Sequence, residues 1–239
     1  MGTVIEAAQV KLERERERQQ SQHEATKTLT RPIENSDEET VRDIIRRARE
    51  KSKDIEFGEE VTEAESAERK MRAMGIPAKY RGATFETFHG NAKLVETVRG
   101  MAGSVILKGN TGCGKTHLAI AWLKEKGAGR IISVPKLLLD LREAIGGNSR
   151  QSEGQIIAEY ARTPYLVLDD LGAEKSTEYS ITSLYLIIDQ RVNEERPTVI
   201  TTNITDMAEI ETKLSARIAS RLAEMESIKI NMPDYRKRR

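Results

Sequence analysis

The chain has 239 residues, 38% hydrophobic and 32% charged, which suits one large domain or a domain with an extension and is too polar for every segment to be core. Lys and Arg total 39 against 38 Asp and Glu, so a net charge of +1 excludes a global electrostatic case for nucleic acid, and a single cysteine, Cys113, excludes a disulfide framework or a cysteine-based zinc site within one chain. The N-terminus lacks the basic-then-apolar plan of a secretion signal and no apolar run approaches the roughly 18 residues of a membrane span, so the expected setting is cytoplasmic, with no membrane partner.

The charge is uneven. Residues 1–70 hold 14 basic and 18 acidic side chains, and residues 71–239 hold 25 and 20. Lys11 to Gln20 alternate in sign with few apolar positions and have little to bury. They read as a solvated helix or arm, or as a helix that docks on a partner. Pro32 and Asn35-Ser36-Asp37 break the chain. Ser36 with Glu39 is a capping-box pattern, and Val41, Ile44, Ile45 and Ala48 follow at i, i+3, i+4 and i+7. An amphipathic helix is expected over 36–52, its apolar face covered by the protein's own core or by another protein. A second helix is expected from about Thr62 to Met74, ended by Gly75 and Pro77.

From Ala78 the composition changes, with Tyr80, Phe85 and Phe88 arriving close together. Asn91 to Met101 reads as a helix with Leu94, Val95 and Val98 on its apolar face. Ser104 to Leu107 reads as a buried strand. Gly109-Asn110-Thr111-Gly112-Cys113-Gly114-Lys115-Thr116 then fits G-x-x-x-x-G-K-[ST], and a good helix former follows from His117 to Lys124. This is a phosphate-binding loop in the strand-to-helix context the chemistry needs. Its glycines let the backbone turn tightly and bring N–H groups to phosphate oxygens, where the positive helix end also points. Lys115 would reach the β- and γ-phosphates and Thr116 would ligate Mg²⁺. The expected ligands are ATP or ADP with Mg²⁺, held by Gly109 through His117.

Arg130 to Val134 reads as a second strand stopped by Pro135, with a helix from Lys136 to Ile145, a loop at Gly146-Gly147-Asn148-Ser149 and a helix from Ser152 to Ala161. Tyr165-Leu166-Val167-Leu168-Asp169-Asp170 is a strand ending in two acids, the Walker B arrangement. Asp169 would hold Mg²⁺, directly or through water, and Asp170 would orient or deprotonate the attacking water. Thr182 to Asn193 reads as a long helix, and Pro197 to Asn203 as a strand whose tip could present Asn203 to the γ-phosphate. Helices are expected over Ala208–Leu214 and Ala216–Met225. The second carries Arg217 and Arg221 one turn apart. Ile228 to Met232 reads as the last strand, and Arg236 to Arg239 form a basic tail.

Strands and helices alternate from about residue 103, which predicts a parallel sheet covered by helices on both faces. At these residues the chain resembles the bacterial or phage helicase loaders of the DnaC/DnaI type, AAA+ ATPases related to the IstB transposition helpers and to the initiator DnaA. The stretches that carry the likeness are the phosphate loop, Leu166-Val167-Leu168-Asp169-Asp170-Leu171-Gly172-Ala173-Glu174, Thr201-Thr202-Asn203 and Ser215-Ala216-Arg217-Ile218-Ala219-Ser220-Arg221-Leu222. The approach from Gly75 through Phe88 also looks like the family's lead-in.

The resemblance implies an α/β AAA+ P-loop core, a five-stranded parallel sheet between helices. It implies no C-terminal helical lid and a helical, partly flexible N-terminal extension. Residues 1–73 would dock on a helicase and 74–239 would be the ATPase. Asn203 matches sensor 1. Arg221 matches the arginine finger that enters a neighbouring subunit's ATP site, with Arg217 as second candidate. Such a finger implies self-association through AAA+ interfaces. The implied partners are a replicative DnaB-type helicase hexamer, gripped by the N-terminal region, and single-stranded DNA, for which Lys136, Arg142 and Arg150 are the expected contacts. Loaders of this type often carry a cysteine-rich zinc domain at the N-terminus, and no cysteine precedes Cys113 here. The rival readings are an IstB-like helper acting on a transposase and duplex DNA, and an adaptor that keeps ATP as a structural ligand.

Overall fold

The computed structural model describes residue 46 and residues 62–147, 149–173 and 177–238. The charged stretch at 11–20 and, but for the helical residue Arg46, the expected helix at 36–52 lie outside the described residues. The sheet strands are β1 (Val105–Gly109), β2 (Arg130–Ser133), β3 (Leu166–Leu171), β4 (Thr198–Thr202) and β5 (Glu226–Ile230). All pair in parallel, in the order β2-β3-β4-β1-β5.

Strands β1 to β4 divide their side chains between two cores, because successive residues point to opposite faces, while β5 adds Ile228 and Ile230 to one of them. Ile106, Ile132, Leu166, Leu168 and Ile200 pack on one face against helices α4 (Val134–Ile145), α5 (Glu153–Arg162), α6 (Glu178–Asn193), α7 (Met207–Lys213) and α8 (Ala216–Ala223). Val105, Leu107, Ile131, Val167 and Val199 pack on the other against α3 (Lys115–Lys126), with Val98 of α2 (Ala92–Arg99) and the lead-in residues Met74, Ile76, Phe85 and Phe88. Burial on both faces explains why the strands read as continuous apolar runs rather than alternating ones. Each fully buried Leu or Ile contributes about 1.5–3 kcal/mol relative to exposure.

Helix α1 (Glu63–Ala73) opens on a capping box between Thr62 and Glu65. It belongs to the compact unit Val61–Arg239, upstream of the expected division at 73/74. Its exit is stitched to the sheet edge, where Ile131 N donates to Met74 O at 2.8 Å. No helical lid follows β5 among the described residues. The chain turns instead into a short 3-10 segment, Tyr235–Arg238. No described helix is long and apolar enough to cross a membrane.

Three of the differences from the sequence reading at element ends have a clear local cause. Val134 belongs to α4, since Pro135 in the first turn is pre-set for a helix rather than acting only as a strand stop. Helix α6 starts four residues earlier than expected, capped by Thr177 onto Ser180 N at 3.1 Å. Strand β5 runs over 226–230 instead of 228–232, because its register on β1 pairs Val105 with Glu226 and Gly109 with Ile230.

Candidate nucleotide site

The carboxyl ends of β1, β3 and β4 are neighbours, and this is where open α/β sheets bind ligands. The residues after β1 form the loop that leads into α3. Gly112 and Gly114 take φ of 77° and 95°, conformations that a side chain would strain. Each glycine also admits a neighbour. A Cβ on Gly114 would stand 2.5 Å from Phe88 Cε2, and one on Gly112 would collide with the Asp234 carboxylate. Gly114 caps α3, so the helix's free N–H groups face the loop.

Lys115 is buried. Its ammonium donates to Gly109 O at 2.8 Å, Asn110 O at 2.9 Å and Asn203 Oδ1 at 2.8 Å. Three donors meet three acceptors, so the charge is held inside the loop without a carboxylate. Asn203 reaches it because β4 lies beside β1. Cys113 is buried beneath the loop.

The two acids at the end of β3 face different surroundings. Asp169 Oδ1 accepts from Thr116 Oγ1 at 2.9 Å and from Thr201 Oγ1 at 2.7 Å. Burial holds its carboxyl above the ordinary aspartate range, and the neighbouring Asp170 charge adds to that, against the two hydroxyls that favour the anion. Asp170 sits in a bulge, where the register steps from Leu168↔Ile200 to Leu171↔Thr202 and one extra residue enters β3. Its φ is 59°, a left-handed turn that Asp tolerates better than most residues. Its N–H donates to Thr201 Oγ1 at 2.9 Å. One hydroxyl therefore fixes both acids, donating to Asp169 and accepting from Asp170.

These residues surround a cavity of about 390 Å³, large enough for a small-molecule ligand. Thr111, Gly112, Gly114, Lys115, Thr116, His117, Asp170 and Asn203 line it. Asp169 stands behind Thr116, and Gly109 and Asn110 serve as acceptors for Lys115. His117 Nε2 lies 2.8 Å from Thr84 O, which ties the start of α3 to the lead-in segment. Arg217 and Arg221 are on α8, away from the cavity wall. Arg217 is exposed, and Arg221 Nε binds Asp189 Oδ1 at 2.7 Å while its Nη1 binds Glu224 Oε1 at 2.8 Å. Those carboxylates, Glu224 foremost, hold the Arg221 guanidinium well above the usual arginine range. On α4, Lys136 pairs with Asp140 at 2.7 Å, and Arg142 is exposed.

Sequence reasoning missed Thr201 and the aromatic side of the cavity, Tyr80, Phe88, His89 and Tyr235. Thr201 was within reach, since alternation along β4 puts it out of phase with Ile200. Tyr235 had no local signal, because only the course of the chain after β5 brings it to the loop.

The model of the IstB-like ATP binding protein family matches residues 48–239. The chain is 31% identical over 150 residues to the replicative helicase loader DnaC of Escherichia coli (strain K12), a match that covers 60% of each protein. It is 33% identical over 168 residues to an ATP-binding protein in an insertion sequence of Mycobacterium tuberculosis, covering 62% of this chain and 66% of that one. These matches thus span less than two thirds of the relatives' own length. A crystal structure of the DnaC helicase loader is similar with a TM-score of 0.57 at 25% identity, over 65% of this chain and all of that one. AMPPCP-bound DnaA from Aquifex aeolicus, at 20% identity and a TM-score of 0.55, covers 67% of this chain and 53% of that one and shares the fold. With the family model covering the whole sheet and every residue of the cavity, the chain belongs to the IstB-like ATP-binding protein family and carries an AAA+ core.

Proposed function

We propose that the chain is an ATPase that loads a replicative helicase onto single-stranded DNA. The observation that supports the chemistry best is the convergence of Lys115, Thr116, Asp170 and Asn203 on one cavity, with Asp169 held behind Thr116. The polyphosphate would sit in the loop, with Lys115 exchanging one of its internal acceptors for a phosphate oxygen. Thr116 and Asp169 would hold Mg²⁺. A half-buried carboxylate beside a hydroxyl is the hard-oxygen pair that ion prefers, and among the described residues no group of three His, Cys, Asp or Glu side chains could hold a metal alone, so phosphate and water oxygens would complete the shell. Magnesium would neutralise charge developing on the phosphates. Asp170 would take the proton of the water whose oxygen bonds to the γ-phosphorus as the bond to the ADP oxygen breaks, giving ADP and phosphate. Asn203, already on Lys115, would report the γ-phosphate to β4.

Arg221 would act on a neighbouring subunit, leaving Asp189 and Glu224 for phosphate oxygens. Arg221→Ala should then lower turnover by a factor of order 10³ while ATP still binds, as read by phosphate release and by equilibrium titration. Unchanged turnover would remove the finger. Arg217, exposed one turn earlier, is the second candidate.

The likeness to DnaC favours a cytoplasmic helicase loader; the grip, expected over 1–73, would be the segment before α1, because α1 belongs to the compact unit that carries the ATPase sheet. The likeness to the insertion-sequence protein favours the second reading, a helper that acts on a transposase and duplex DNA. The discriminating experiment is a pull-down from host lysate with ATP, comparing the full chain with a chain lacking residues 1–60. That cut preserves α1, which belongs to the compact unit with the sheet. Retrieval of the hexameric helicase by the full chain alone is the expected result. Retrieval of a transposase would favour the second reading.

A further inference from the structure

Lys115, Thr116, Asp170 and Asn203 account for the charged end of the cavity, and a second group of lining side chains, aromatic in character, forms a further part of its wall. These are Tyr80, Phe88, His89, His117 and Tyr235. Phe88 is buried, and its ring lies 5.5 Å from the His117 ring, tilted, and 6.5 Å from the Tyr235 ring, edge to face. Phe88 is set against the loop by Gly114, which has no Cβ to keep it away.

Tyr235 comes from a distant part of the chain and is placed by the same loop. Beyond the Gly109–Ile230 pair the segment after β5 runs alongside the loop, and Tyr235 N donates to Gly112 O at 3.1 Å. Asp234 packs against the missing side chain of Gly112 and takes no part in the cavity wall. Gly112 and Gly114 thus each admit one neighbour, and those neighbours bring two aromatic rings to the same cavity.

We propose that Tyr235 is a specificity-determining residue of this site, forming with Phe88 the wall that receives the purine base of a nucleoside di- or triphosphate. The proposal rests on the nucleotide reading of the loop. A base has flat apolar faces and gains from aromatic surfaces, whereas a bare polyphosphate has none to offer. Since the backbone of Tyr235 is bonded to Gly112, occupation of the base wall also steadies the loop that holds the phosphates.

The test is calorimetric titration of the full chain with ADP and, separately, with inorganic tripolyphosphate. Tyr235→Ala should weaken ADP about tenfold or more and leave tripolyphosphate within about twofold, since removing a stacked aromatic typically costs that much for one base. Tyr235→Phe keeps the ring and should bind ADP like the parent, which also shows that the segment still docks. Equal losses for ADP and tripolyphosphate in Tyr235→Ala, no loss for either, or a phenylalanine variant as weak as the alanine one would each overturn the proposal. Lys115→Ala separates the underlying reading. It should weaken both ligands, and a Lys115→Ala chain that binds both like the parent would overturn the nucleotide site itself and the proposal with it.

Discussion

Asp170→Asn should lower ATP turnover by roughly 10²–10⁴-fold while ATP binding stays close to that of the parent chain, because proton abstraction by a positioned carboxylate contributes about that factor. The substitution removes the basic oxygen and keeps the size of the side chain. The backbone that aims it is independent of the carboxylate. The bulge between Leu168 and Leu171 supplies the extra residue, and the Asp170 N–H bond to Thr201 fixes the left-handed turn. An asparagine tolerates that turn as well as an aspartate does. The phosphate loop, Lys115 and the Asp169–Thr116 pair all lie outside the change. The expected pattern is a fall in kcat and kcat/KM by the same factor, the signature of an interaction made in the transition state. Turnover within about tenfold of the parent would remove Asp170 as the base. A parent chain that binds ATP and releases no phosphate, with helicase or DNA present, would favour the adaptor reading, in which ATP is only a structural ligand.

The parts of this site legible in the sequence are those whose chemistry forces a local pattern. A loop that wraps phosphate needs glycines at fixed spacing, so Gly109 through Thr116 declared itself. Strand tips at the carboxyl edge of a parallel sheet are adjacent whatever connects them, so Asp169, Asp170 and Asn203 could be set around that loop. What stayed hidden depends on register and on chain course. The single-residue bulge that accompanies Asp170 at the cavity lies only in the pairing of β3 with β4, while the pairing with β2 stays regular, and no residue in Leu168-Asp169-Asp170-Leu171 announces it. The early start of β5 at Glu226 follows from its pairing with β1, although Glu226 and Ser227 are exposed polar residues with no strand pattern of their own. Tyr235 reaches the cavity only because β5 ends beside Gly109.

The same limit applies to Arg191, which reads as one more polar residue near the end of α6 and is fully buried. No carboxylate is bonded to it. Nη1 donates to the carbonyls of Tyr160 at 2.9 Å, Ala161 at 3.1 Å and Thr163 at 2.6 Å. Nη2 donates to Pro197 O at 2.8 Å and Nε to Thr198 Oγ1 at 2.8 Å. The last turn of α5 leaves carbonyls without helical partners, and burial denies them water. Thr163 serves Glu159 O and Arg196 serves Arg162 O, so Arg191 completes the set from inside the core. Burial, with the Arg196 charge adding to it, pulls the Arg191 pKa down to about 10. A cation whose folded pKa lies below its unfolded value costs stability throughout neutral pH, and the cost fades only above about 10. The residue is therefore held for its donors, not for its charge. Arg191→Leu relieves the desolvation and leaves those carbonyls unpaired in the interior. At about 1–3 kcal/mol for each unsatisfied buried group, with partial relaxation, the expected net loss is roughly 3–5 kcal/mol. That corresponds to a fall in Tm of about 10 °C for a chain of this size. Arg191→Lys should recover little of it, because one ammonium cannot span acceptors on α5 and on the start of β4. Denaturant unfolding of the full chain measures both, and a leucine variant within about 1 kcal/mol of the parent would show that the α5 carbonyls find other donors.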